Sequence, residues 1–253
     1  MTHIPNNGFI WTVRKSDGLE TEAKQVCKFF SKNFPKEKDA HFFSHTYSYR
    51  LRSFNGAFKR YIQLFSYLDI SPTETDHLER HFYTISNPAA NRTKKDFEKN
   101  MEYAIKEIRR CDEVLVAKLK TLNRIECIRL YEAMKCLTME CNLSCVVMAV
   151  SAVEYRLHLL IEKASTSLYK KQFKKATLGG LIDIFKDGTY TDKKYARIKK
   201  ILPDKHKPLM EMLNIYRIFS AHPKDEVITP QTAKAILSLA FLLLVDENLQ
   251  ARP

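Results

Sequence analysis

Glycine and proline are scarce, with six and nine in 253 residues. Folds that turn tightly and often need both, so the shortage argues against a loop-rich barrel and against a glycine-dependent nucleotide fold. Long apolar runs are also missing. The longest clean one, Ile236 to Val245, is far below the roughly 20 residues that a bilayer requires. A longer run, Leu143 to Ile161, is interrupted by Glu154, Arg156 and His158, and reads as a buried helix. The N-terminal MTHIPNNGFIWTVRK lacks the basic start and apolar core of a signal peptide. Without such a signal, the six cysteines (27, 111, 127, 136, 141 and 145) are expected to be reduced thiols, and the expected location is cytoplasmic. No Walker loop, Rossmann fingerprint or nucleophile elbow is present.

Acidic charge is outnumbered as well: 29 Asp and Glu face 42 Lys and Arg, a formal +13. That excess favours polyanionic partners, either nucleic acid or an acidic membrane surface. A hydrophobic share of 45% with 28% charge fits a globular chain rather than a disordered one. At this length a core can form without disulfides or a metal.

Helical periodicity runs nearly throughout, and no strand pattern competes. The spacing predicts helices over 20–34 and 46–68, the latter carrying Phe54, Phe58, Ile62 and Phe65 on related faces. Ser71-Pro72-Thr73-Glu74 is a helix start with a capping residue, a first-turn proline and a glutamate at the capping-box position. Thr93 opens a long charged helix reaching about Leu122. Further helices are expected over 124–140, 142–164, 181–185 and 205–221, and a last one after Thr229-Pro230. The expected organisation is all-α: an N-terminal helical region, 1–118, and a helical bundle, 119–253.

The positive charge is concentrated. Residues 163–207 hold thirteen Lys and Arg against four Asp. Lys170, Lys171, Lys174 and Lys175 form one cluster, and Lys193, Lys194, Arg197, Lys199 and Lys200 another. Arg50 and Arg52 stand among aromatics on the 46–68 helix. Lysines on phosphates with aromatics on unpaired bases is the physics of single-stranded nucleic-acid binding, so these residues are candidate RNA ligands. The competing reading is a solvated basic face with core aromatics at burial spacing.

Asn214 to Pro223 ends a helix with Arg217 and His222 five positions apart. Pro223 fixes His222 at the helix end, where the macrodipole favours the imidazolium. Histidine is the usual acid or base near neutrality and arginine the usual phosphate clamp. Cleaving RNA through its own 2′-hydroxyl needs those two functions without a metal or cofactor. One histidine per chain leaves either acid or base unsupplied, and a twofold dimer would supply it.

On these residues the chain resembles the HEPN superfamily over roughly 120–250. The resemblance follows the order of elements: Glu132 to Leu137, the apolar helix Cys145 to Glu154, Thr177 to Ile182, Arg217…His222-Pro223, and a final apolar helix. It implies a HEPN-like bundle and a metal-independent endoribonuclease working as a homodimer. It further implies Arg217 and His222 as the site pair, with Glu154 at a polar position that often lines the site. A defence or toxin setting, with an antitoxin or regulatory protein as partner, belongs to the same implication, as do 2′,3′-cyclic phosphate and 5′-hydroxyl products. The chain departs from many active members at Ile218, where a polar residue commonly follows the arginine. The rival expectation is a non-catalytic module binding RNA, a nucleotide or a protein; a membrane-surface scaffold is a third.

The remaining constellations read as structural. Cys127, Cys136, Cys141 and Cys145 lie in helical pattern without the paired knuckles of a zinc site. His41/His45 and His77/His81 are i,i+4 pairs, but Glu79 is out of register for a zincin helix. No metal site is expected.

Overall fold

The computed structural model describes residues 19–29, 32, 49–221 and 227–249. These form helices, helical turns and their connections, with no strand among them, so the protein is all-α. The chain divides into two compact units, Met1–Ala117 and Lys118–Pro253.

In the first unit, α1 covers residues 19–29, α2 Tyr49–Leu68 and α3 Pro72–Ser86, and α4 begins at Lys94 and ends at Leu119. Ser71 caps α3 by accepting the Glu74 N–H, as its position predicts. The Glu74 carboxylate does not close a capping box; it accepts from Arg110 instead, at 2.8 Å. Thr93 and Asp96 do close one at the start of α4, each side chain taking the other's N–H. Phe54, Phe58 and Phe65 are fully buried, so the aromatic period of α2 is the period of its core face. Tyr61, also buried, donates its hydroxyl to Asp112 at 2.6 Å.

In the second unit, α5 is Arg124–Thr138 and α6 is Asn142–Ala164. Short turns follow: α7 Thr166–Leu168, a π-helical turn Tyr169–Phe173, α8 Leu178–Ile182, and α9 Ala196–Lys199. The last long helices are α10 Lys207–Ala221 and α11 Pro230–Val245, the latter capped by Thr229. α6 is the central element, packed by α5, α8, α10 and α11. Its length and apolarity match those of a membrane span, and 56% of its most apolar window is buried inside the unit. The chain enters α10 through a single turn, Asp204–His206, where an unbroken helix from 205 was expected.

The α5–α6 corner shows how the unit turns without glycine. The Cys141 N–H donates to the Cys136 carbonyl and the Glu140 N–H to that of Leu137, the double closure of a Schellman turn. Glu140 occupies the left-handed position, at φ +59°. An L side chain there costs about 1–2 kcal/mol, partly offset by the extra unfolded-state entropy of glycine. Glu140→Gly is therefore expected to raise stability by about 0.5–1 kcal/mol. Urea denaturation would show a higher midpoint at unchanged slope; a lower midpoint refutes the reading.

Candidate functional site

Among the described residues of the second unit two Glu–Arg pairs occur, and their surroundings separate them by role. Glu126, at the third position of α5, is fully buried, as is Arg156 on α6. Arg156 donates through Nε and Nη2 to the two Glu126 oxygens, both at 2.6 Å. Nη1 serves the Leu244 and Leu249 carbonyls, and Nη2 also serves that of Thr121. All five N–H groups are used. Glu126 also accepts the Asn123 N–H, closing a capping box. This pair joins the start of α5, the middle of α6 and the end of α11.

Glu154, on α6 two positions before Arg156, lies opposite Arg217 of α10. Arg217 Nε stands 3.4 Å from Glu154 Oε2, with the side chains 29% and 23% exposed. The same carboxylate oxygen accepts the Leu178 N–H at the start of α8, at 2.8 Å. Glu154 is thus fixed by backbone and approaches the guanidinium from its Nε side. Among the described residues Arg217 has no other polar partner. Its Nη groups have no partner among the described residues, and the side chain is part-exposed. A buried, saturated arginine is a brace; a half-exposed one with uncommitted donors can take an anion.

Polar atoms without partners lie within a turn of this pair along α6 and α10. Asn214, three positions before Arg217, presses its amide against Gly179, where an added Cβ would meet Nδ2 at 3.2 Å. Its Oδ1 is buried and has no hydrogen-bond partner among the described residues. The same holds for Ser220 Oγ, three positions after Arg217, and for His158 Nδ1, one turn beyond Glu154 on α6. The His158 ring meets Tyr169 edge-on at 5.7 Å, and burial beside Glu162 and Tyr155 raises the Tyr169 phenol. Ile218 is 41% exposed. His222 lies outside the described residues, as do His41 and His45.

The basic candidates divide. Lys170, Lys171, Lys174, Lys175, Lys193, Arg197 and Lys200 are exposed. Lys194 is exposed but pairs with Asp192 at 2.9 Å and covers the Tyr195 ring. Lys199 is half-buried and donates to the Thr189 carbonyl. It is the most committed of the set. Arg52 is exposed on α2, and the Arg50 side chain lies outside the described residues. Phe54 and Phe58 are core and offer no stacking face beside Arg52.

The cysteines are all free thiols. Burial raises Cys145 to about 12 and Cys27 to about 11, so both stay protonated near neutrality. No group of three or more His, Cys, Asp or Glu side chains is placed to hold a metal ion among the described residues. His77 faces Glu107 at 3.6 Å and the Arg110 guanidinium at 3.3 Å. Sequence reasoning missed the Glu126–Arg156 brace, although Asn123-x-x-Glu126 is a legible capping-box signal.

The described residues form an all-α protein whose second unit holds a part-exposed arginine, Arg217, and carries a stretch of exposed lysines between 170 and 200. No family model, curated protein or solved structure matches the chain.

Proposed function

We propose that the second unit is a HEPN-like, metal-independent endoribonuclease that acts as a homodimer in the cytoplasm. Arg217 binds the scissile phosphate and stabilises the charge of the phosphorane. His222 is the general acid or base, and its copy in the second chain supplies the complementary function. Glu154 orients Arg217. Attack by the 2′-hydroxyl leaves a 2′,3′-cyclic phosphate and a 5′-hydroxyl.

One observation carries this reading: Arg217 is held by an anchored carboxylate yet is part-exposed and has no second polar partner among the described residues, while Arg156, two positions after Glu154 on α6, is saturated and buried. A purely structural arginine would resemble the second. The exposed lysines between 170 and 200 supply the sequence-independent attraction that a phosphodiester chain requires.

A second reading is favoured by Ile218, an exposed apolar side chain directly after the arginine. On that reading the unit binds RNA without cutting it. Incubating the dimeric chain with single-stranded RNA in EDTA decides between them. Cleavage supports the nuclease; salt-dependent binding with intact RNA supports the binding module.

A further inference from the structure

Tyr190 carries a combination of features found at no other ring among the described residues of the second unit. Its backbone is left-handed, at φ +45°, a conformation that costs a non-glycine residue energy and marks a constrained position. Thr189, just before it, donates its hydroxyl to the Asp183 and Lys186 carbonyls, and the Thr189 carbonyl accepts from Lys199. The turn is tied down on both sides.

The ring sits on two others. It meets Tyr195 edge-on at 5.0 Å and Phe173 at 5.8 Å, and those two lie 6.5 Å apart. Phe173 and Tyr195 are core, 2% and 6% exposed, while Tyr190 is 36% exposed. The Tyr195 hydroxyl donates to Gln172 at 2.8 Å, which locks the two segments together. Tyr190 is therefore the outward member of a three-ring cluster at the junction where Gln172 and Tyr195, 23 residues apart, are joined.

Each of those segments carries lysines. Lys170, Lys171, Lys174 and Lys175 flank Phe173 and are exposed. Lys193, Lys194 and Arg197 flank Tyr195 and are exposed. The packing of the rings brings two segments that carry exposed lysines to one junction, with Tyr190 as its exposed ring.

We infer that Tyr190 is a stacking platform for an unpaired base, with the lysines beside Phe173 and Tyr195 holding the flanking phosphates. The inference rests on the RNA reading above and narrows its ligand to single strands. In a duplex the bases are already stacked on one another, and an aromatic ring cannot reach a base face without unpairing it. A membrane surface is less well matched. Tyr190 is the sole exposed large apolar residue between 163 and 207 among the described residues, and interfacial binding grows with the apolar area inserted.

The test uses the full chain and labelled 2′-O-methyl oligoadenosine, which lacks the attacking hydroxyl, beside a matched RNA duplex. Fluorescence anisotropy should show Tyr190→Ala weakening single-strand binding about 5- to 150-fold, the range expected for one lost stack. Duplex binding should not move, and Tyr190→Phe should bind like the parent. Lys171→Glu with Lys174→Glu should weaken both ligands and flatten the salt dependence. Tyr190→Gly relieves the backbone constraint while removing the ring, so its expected equal loss of binding separates stacking from folding. The platform is refuted, with the RNA reading intact, if Tyr190→Ala binds the single strand like the parent while the lysine variants do not. If the parent binds neither RNA and instead binds phosphatidylserine vesicles, both readings fall.

Discussion

Glu126→Gln is expected to lower the stability of the second unit by about 3–5 kcal/mol. The substitution keeps the shape of the side chain and removes one charge, leaving the Arg156 guanidinium buried opposite a neutral amide. Arg156 cannot escape to water, because its remaining donors are held by the Thr121, Leu244 and Leu249 carbonyls. An unmatched buried cation is the costly state, more than the loss of any single hydrogen bond. Glu126→Gln combined with Arg156→Met should therefore lose less than the sum of the two single changes, since the double variant leaves no isolated charge. Hydrogen exchange of the α6 amides reports the opening of this unit directly. Protection unchanged in Glu126→Gln would contradict the assignment of this pair as the brace of the bundle.

The second large effect concerns activity rather than folding. His222→Ala is expected to reduce RNA cleavage about 10²- to 10⁴-fold, the usual worth of a positioned acid or base. Arg217→Ala is expected to cost about 10²- to 10³-fold, as for removal of a group that stabilises transition-state charge. Its ion pair with Glu154 is partly exposed, so the loss of stability should stay within about 1 kcal/mol. That asymmetry is the opposite of the one expected at Arg156, where any truncation damages the fold first. An Arg217→Ala protein that unfolds at ordinary temperature would make Arg217 a second brace and remove the reason for treating it as a site.

Both arginines are plain in the sequence, but their difference is not. Arg156 reads as an interruption in an apolar run, and nothing in that run names a partner 30 residues earlier on another helix. The limits of α6 and the start of α11 were legible, since a long periodic helix and a Thr-Pro cap leave strong local signals. The corner before α6 was less so: Asn142 reads as the break, whereas the turn is made by Glu140 in a conformation usually given to glycine. Residues 165–204 show least. Their short helical turns are held by ring contacts and long-range hydrogen bonds around Phe173 and Tyr195, with too few turns to produce a period. Tyr190 gave no sequence signal, because its exposure depends on those contacts.

The central claim is that Arg217 works on a phosphodiester and does not merely hold a helix. Mass spectrometry of RNA ends after incubation with the chain in EDTA tests it most directly. The account predicts new 2′,3′-cyclic phosphate and 5′-hydroxyl termini, formed by the parent and lost in a folded Arg217→Ala protein. Identical termini from parent and Arg217→Ala, or RNA left whole by a folded dimeric parent, would contradict it.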